Sequence, residues 1–304
     1  MSFNDDARLD PNRVKDSRGR SRTTKVAAGG GGILVVLLAA IFGFNPEILS
    51  GLGIGNAPAT EQTGSAAGGP SIAECKTGAD ANNRPDCRIL ATTQSLDSFW
   101  LSYLPQYNVK IAKPGVEIFA SQVNTACGPA TSAMGPFYCP GDRVAYFDTG
   151  FFADLRTDFG ADGGALAEEY VVAHEYGHHI QNTLGTLAAS QKGGTGANSG
   201  SVRVELQADC YAGLWAAYAS QTKDANGNTF MKPLTQKDLR SALSAAAAVG
   251  DDRIQQAATG RVNPEGWTHG SAAQREAWFL QGYATGDILK CDALSAKDLN
   301  KPNA

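Results

Sequence analysis

The hydrophobic pattern divides the chain into four parts. Residues 1–25 are polar, residues 26–46 contain no charged side chain, and residues 53–71 combine Gly, Ala, Ser, Thr and Pro with little apolar bulk. An apolar helix of about 20 residues is long enough to cross a bilayer. We therefore predict a polar tail at 1–25, one transmembrane helix at 26–46, a flexible linker at 47–74 and a globular domain at 75–304.

Within the globular part, strand-like patterns come before helical ones. Residues 116–123 and 143–148 are rich in β-branched or aromatic side chains and are bounded by turn formers. Amphipathic helical spacing begins at Leu166 and dominates afterwards. The pattern predicts an α+β fold that is mostly helical, with a small sheet ahead of the helix at Leu166. Residues 144–147 are the candidate edge strand with which an extended peptide could pair.

Short polar signals mark several helix boundaries. Thr235 with Asp238, and Ser271 with Gln274, have the spacing of capping boxes, in which a side chain and a backbone N–H bond reciprocally at a helix start. Gly185 is a candidate C-terminal stop for the helix before it. These signals predict helices that begin after Thr235 and after Ser271.

The charge pattern predicts the orientation in a membrane. Residues 1–25 contain seven lysines or arginines against four aspartates, and no further lysine or arginine follows until Lys76. Basic residues are retained on the cytoplasmic side of a span, so we expect a cytoplasmic N-terminus and an extracytoplasmic domain. A cleaved signal peptide is the alternative interpretation. The mild net charge of −4 gives no reason to expect nucleic acid as a partner.

The cysteines agree with an oxidising compartment. All six follow the uncharged stretch, where disulfides would persist. Several pairings are open on sequence alone, and a metal-binding role for Cys210 is a further alternative. We predict the pairs Cys75–Cys87, Cys127–Cys139 and Cys210–Cys291.

The segment from His174 to His178 has the HExxH pattern of a zinc site. Residues four apart share a helix face, so His174 and His178 can direct imidazole nitrogens at one metal ion. Glu175, beside them, can hydrogen-bond a water at that metal without being a ligand, as a catalytic base requires. Gly177 lowers helix propensity, which indicates that another element packs closely there.

A catalytic zinc usually takes three protein ligands and leaves one position open, so a third ligand is needed. Glu205 is the candidate, because a second helix could present it to the metal. Asp209, one turn later, is placed to accept a hydrogen bond from a ligand histidine. The alternative is that Glu205 and Asp209 form a solvated acidic edge. His179 is turned about 100° from its neighbour His178, and we expect it to be a hydrogen-bonded or surface residue instead.

Peptide hydrolysis also requires a donor for the developing oxyanion. His269, just before a predicted helix, is the first candidate, although a capping-region histidine is an equally good interpretation. Tyr146 is a weaker candidate that more simply packs in the sheet. Residues 251–253 are expected to form a surface ion-pair network.

Several of these segments together resemble a known family, the bacterial neutral zinc metallopeptidases, which are membrane-tethered and have a zincin-like domain. The resemblance covers roughly residues 75–291. It implies zinc binding by His174, His178 and Glu205, with Glu175 as the base. The matching segments are HEYGHHIQ, VELQADCYAG, CGPATSAMGPFYCPGDRVAYFD, AAAVGDDRIQ and THGSAAQREAWFLQGYATGD.

These observations predict a membrane-anchored, extracytoplasmic Zn²⁺ metallopeptidase that hydrolyses proteins or peptides with Glu175 as general base. One alternative is a catalytically silent envelope or scaffold protein with structural zinc, for which a closed site of four protein ligands would be evidence. Another is a zinc amidase that acts on cell-wall peptides, which a substrate screen would distinguish.

Overall fold

The computed structural model describes residues 2–19, 70–192 and 194–302. We number its helices and strands in chain order. The helices are α1 Gly78–Asn83, α2 Pro85–Tyr103, α3 Phe151–Thr157, α4 Ala165–Leu184, α5 Gly200–Tyr218, α6 Gln236–Ala248, α7 Asp251–Thr259 and α8 Ala272–Thr285. The strands are β1 Lys15–Asp16, β2 Gly115–Phe119, β3 Gln122–Thr125, β4 Gly128–Thr131, β5 Phe137–Cys139 and β6 Val144–Asp148.

The strands form one mixed sheet and one hairpin. The sheet has the order β1-β2-β6-β5, in which β5 is antiparallel to β6 and the other pairs are parallel. Strands β3 and β4 form a separate antiparallel pair. The α+β prediction is confirmed, but residues 144–147 are not an edge: β6 lies between β2 and β5.

The predicted strand at 116–123 is divided in the structure. Strand β2 ends at Phe119 and β3 begins at Gln122, because Ser121 adopts a left-handed conformation with φ of 67°. The side chain of Asp148 accepts the Ser121 N–H at 3.2 Å and stabilises this bend. The pattern did not predict helix α2, which is 19 residues long and lies between β1 and β2 in the chain.

The predicted helix boundaries are confirmed. Capping boxes start α6 at Thr235 and α8 at Ser271, and Gly185 ends α4 in a left-handed conformation. Helix α4 is buried on almost every side and packs against α2, α5 and α6. A Cβ at Gly177 would lie 3.1 Å from the Ala208 carbonyl oxygen, so this glycine lets α4 and α5 approach closely, as the sequence indicated.

The N-terminal residues depart from the predicted domain boundaries. Residues 2–19 lie against the domain, with Phe3 and Ala7 fully buried and β1 paired to β2. Ile72, inside the predicted linker, is also buried. The folded domain therefore includes residues 2–19 and 70–74, because apolar side chains of these segments contribute to its core.

The predicted transmembrane helix at 26–46 lies outside the described residues. Among the residues that are described, no helix combines the length and apolar character needed to span a membrane. The disulfide predictions are confirmed: the structure contains Cys75–Cys87, Cys127–Cys139 and Cys210–Cys291.

Candidate metal centre

The three predicted ligands converge where α4 crosses α5. The His174 Nε2 atom lies 3.1 Å from Glu205 Oε2, and the His178 Nε2 atom lies 3.6 Å from Glu205 Oε1. One donor atom of each residue lies within 4.8 Å of the others. Two imidazole nitrogens and a carboxylate oxygen are a donor set that zinc accepts in catalytic sites, so these residues could hold the ion.

An ionic network fixes the orientation of His174. Its Nδ1 atom donates to Asp209 Oδ1 at 2.8 Å, which directs Nε2 toward Glu205. Arg275 donates to both oxygens of Asp209, at 2.9 and 3.0 Å, and the Tyr170 hydroxyl donates to the same carboxylate. Asp209 is fully buried, so its charge depends on these partners.

A neutral partner fixes the orientation of His178. Its Nδ1 atom donates to Gln181 Oε1 at 2.8 Å, three residues later on α4. The Gln181 amide in turn donates to the Val204 carbonyl oxygen at 2.6 Å and to Gln207 Oε1 at 3.2 Å. Gln181 thereby links the second histidine to α5, the helix that carries Glu205.

The three ligand side chains strongly polarise one another. Burial opposes protonation of His174, but Asp209 and Glu205 outweigh it and raise its pKa to about 10. Burial alone would raise the pKa of Glu205, yet the facing His178 and His174 hold that pKa well below its usual range. A metal that binds His174 would therefore compete with a proton for its imidazole nitrogen.

Glu175 is buried next to this cluster without being part of it. Only 8% of its surface is exposed, and burial raises the pKa of its carboxyl group, while the charges of His178 and His174 oppose the rise. A carboxylate with a raised pKa binds a proton more readily than an exposed one.

His269 lies near Glu205 and is held by Asp251. Each of His269 and Glu205 affects the pKa of the other. The Nδ1 atom of His269 lies 3.3 Å from Asp251 Oδ1, and Asp251 accepts backbone N–H groups of Thr268, His269 and Gly270 at 2.6–2.9 Å. Burial opposes protonation of His269, but Asp251 outweighs it and raises the pKa.

Two other candidates lie outside the cluster. His179 is buried on another side of α4, where Nε2 donates to the Ala112 carbonyl oxygen at 2.7 Å and Nδ1 contacts the Tyr138 hydroxyl at 3.0 Å. Tyr146 is buried in the sheet, and its hydroxyl donates to Asp142 at 2.8 Å. His179 is therefore a hydrogen-bonded residue and Tyr146 packs in the sheet, as the alternatives to a site role predicted.

Sequence reasoning missed Arg275 and assigned Asp251 to the wrong role. Arg275 is buried on α8, 66 residues from Asp209, and a lone arginine in an apolar helix was the available signal. Asp251 was expected to form surface ion pairs, but it accepts hydrogen bonds from the backbone that carries His269. The loop of residues 268–270 folds back onto the start of α7, and loops of this kind have no hydrophobic periodicity from which the contact could be predicted.

Comparison with known proteins identifies the family of the chain. The sequence profile of the family described as "Putative neutral zinc metallopeptidase" matches residues 4–294. The chain is 58% identical over 232 residues to uncharacterized proteins of Mycobacterium bovis and Mycobacterium tuberculosis, covering 76% of this chain and 78% of each relative. It is 41% identical over 209 residues to the uncharacterized protein YpfJ of Escherichia coli K12, covering 67% of this chain and 68% of that protein.

No solved structure matches the chain. The family match nevertheless spans most of its length and includes every residue of the cluster on α4 and α5. The family implies zinc as the cofactor. The chain therefore belongs to the neutral zinc metallopeptidase family.

Proposed function

We propose that the protein is a zinc-dependent peptidase whose metal ligands are His174, His178 and Glu205. The observation that carries this proposal is the convergence of three donor atoms within 4.8 Å, with each imidazole oriented by a partner at its other nitrogen. Among the described residues no fourth His, Cys, Asp or Glu joins this cluster. This favours an open catalytic position over a closed structural zinc site.

The chain's own groups supply the proton transfers. Bound zinc contributes Lewis acidity, which makes a nearby water more acidic and a substrate carbonyl more electrophilic. Glu175 takes the proton from the attacking water as its oxygen bonds to the carbonyl carbon. The same carboxyl group then gives the proton to the amide nitrogen as the C–N bond breaks. The position of Glu175, buried directly beside the ligand His174 on α4, suits it to both transfers.

His269 completes the proposed machinery. As an imidazolium held by Asp251, it donates a hydrogen bond to the oxyanion that develops on the substrate carbonyl. Its raised pKa keeps it protonated over a wider pH range than a solvent-exposed histidine. Asp251 orients the ring and does not itself contact the substrate.

We also propose that the domain functions outside the cytoplasm. Three disulfides and the absence of free cysteines among the described residues support this location, since disulfides persist in oxidising compartments.

The test replaces Glu175 by Gln in the zinc-loaded protein, with Glu265→Gln on the surface as the matched control. We expect Glu175→Gln to retain zinc and to lose cleavage by about 100-fold or more, because the general base is removed. Cleavage is measured on a proteome-derived peptide library with and without a chelator. Full activity of Glu175→Gln would exclude this residue as the base.

A second substrate arm uses cell-wall peptide fragments. Cleavage of these fragments alone would identify an amidase instead of a protein-directed peptidase. If the zinc-loaded wild type cleaves neither set, the silent scaffold interpretation is favoured.

A further inference from the structure

The N-terminal segment, residues 2–19, is built into the domain by apolar contacts. Phe3 and Ala7 are fully buried, and Val14 is 3% exposed. Gly78 at the start of α1 accommodates the segment: a Cβ there would lie 1.9 Å from the Asn4 carbonyl oxygen. The domain surface is therefore shaped to receive this segment at close range.

Backbone pairing continues along the segment. The Leu9 N–H donates to the Lys76 carbonyl oxygen, and the Gly78 N–H donates to the Ala7 carbonyl oxygen, both at 2.9 Å. Strand β1 then extends the sheet in parallel with β2. The segment thus covers an edge of the main sheet that would otherwise be open.

The basic residues of the segment have carboxylate partners in the domain. Arg13 donates to both oxygens of Asp97, at 2.6 and 2.9 Å, and Asp97 is only 3% exposed. Lys15 contacts Glu117 at 2.8 Å, and Arg18 contacts Asp86 at 2.9 Å. These basic residues therefore have a role in docking, independent of any effect on membrane orientation.

The segment leaves the domain where the chain returns to it. Arg18 Nη2 lies 3.4 Å from the Pro70 carbonyl oxygen, and the Ile72 N–H lies 3.4 Å from Asp16 Oδ2. Both ends of the stretch 20–69 are consequently attached at one place on the domain surface. A helix that crossed a bilayer once between them would place residues 2–19 and residues 70–302 on opposite sides.

We propose that residues 2–19 stay docked in the native protein, and that residue 19 and residue 70 lie on the same side of any membrane. This inference replaces the predicted arrangement with the N-terminus and the domain on opposite sides. It also gives the segment a positioning role, because Asp97 accepts the Tyr176 hydroxyl of α4 at 3.1 Å as well as Arg13. The segment thus supports the helix that carries His174 and His178 from behind.

The test uses the full chain with an epitope inserted between residues 22 and 23 and a site-specific protease site between residues 64 and 65. After cleavage of the detergent-purified protein, the N-terminal fragment is captured through the epitope. The fraction of the 65–304 fragment that elutes with it reports docking. In parallel, the epitope and the domain are each probed with antibody on intact and on permeabilised spheroplasts.

Two variants and one control identify the interface. We expect co-elution for the wild type and for Gly266→Ala, whose added Cβ would meet nothing closer than 3.6 Å. Gly78→Ala should lower the co-eluting fraction by about tenfold, because the new methyl group collides with the Asn4 carbonyl oxygen. Phe3→Asp should lower the co-eluting fraction to a similar extent, and this substitution leaves the sequence of residues 70–302 unchanged.

Each outcome decides the proposal. Same-side antibody access and loss of co-elution in both variants support it. Failure of the wild-type fragments to co-elute, or co-elution that neither variant reduces, would overturn it. So would an epitope that becomes accessible only after permeabilisation while the domain is accessible without it.

Discussion

Buried histidines on two sides of helix α4 have different roles. On the metal side, His174 and His178 each commit one nitrogen to an orienting partner and direct the other toward Glu205. On the opposite side, both ring nitrogens of His179 are engaged by Tyr138 and the Ala112 carbonyl oxygen. Three histidines within six residues of one helix therefore differ in whether a nitrogen is left for a ligand.

The back of the helix holds α4 in the fold, whereas separate partners on the metal side orient the two ligand histidines. Tyr176 donates to Asp97 in a buried hydrogen bond, and His179 donates to the Ala112 carbonyl oxygen in the chain that leads into β2, so rotation of α4 would break both bonds. Such bonds are costly to lose when the partner stays buried. The back-side contacts therefore fix where α4 lies, and Asp209 and Gln181 fix how the two ligand rings point.

The largest effect is expected on the back of α4. His179→Phe should lower the free energy of unfolding by about 3 kcal/mol, because Ala112 and Tyr138 each lose a buried partner. Zinc affinity of the folded protein should change little. Denaturant titration gives the stability, and competition with a chromophoric chelator gives the affinity. A large loss of affinity without loss of stability would mean that His179 belongs to the metal side.

The next effect separates the two ligand histidines. Asp209→Asn should weaken zinc binding by about 10–100-fold, since the ionised carboxylate makes the His174 imidazole more basic. Gln181→Met, which removes the neutral partner of His178, should weaken it less. The same competition assay ranks the two variants at fixed pH. Equal losses would show that the charge of Asp209 does not contribute to the affinity.

The smallest effect concerns Glu169, a fully buried carboxyl group on α4. Burial raises the pKa of its carboxyl group from 4.5 to about 7, against the opposing effects of Arg88 and Ser2. The folded state therefore retains a proton that the unfolded chain releases at lower pH. Stability falls as pH rises from about 4.5 to about 7 and then levels off.

Glu169→Gln should remove this dependence. Between pH 6 and pH 8 the wild type should lose about 1 kcal/mol more stability than the variant. Thermal unfolding of both proteins across this range measures the difference, with the exposed Glu265→Gln as control. Parallel stability profiles for wild type and Glu169→Gln would assign the pH dependence to other groups.

Local spacing predicted the parts of the site that lie on single helices. The four-residue spacing predicted the convergence of His174 and His178, and the same reasoning selected Glu205 and Asp209 on the next helix. The sequence could not show that Arg275 lies behind Asp209, because that contact depends on how α8 packs on α5. Spacing describes one helix at a time, whereas packing decides which helices meet.

The contacts of the N-terminal segment could not be predicted from local spacing at all. Its basic residues were interpreted as an orientation signal because their partners lie far along the chain. Arg13 finds Asp97 after 84 residues, and Lys15 finds Glu117 after 102. No local pattern connects these pairs. The hydrophobic pattern therefore separated residues 1–25 from the domain, although residues 2–19 contribute to its core.

The disulfide Cys210–Cys291 has a consequence for how well the protein retains zinc. Cys210 directly follows Asp209, and its bond joins α5 to the chain that follows α8. The bond therefore ties the helix that carries Glu205 and Asp209 to the C-terminal part of the domain, and such a bond persists in an oxidising environment. We therefore expect the protein to retain zinc less well once this disulfide is reduced, because α5 then loses its covalent tie to the chain after α8.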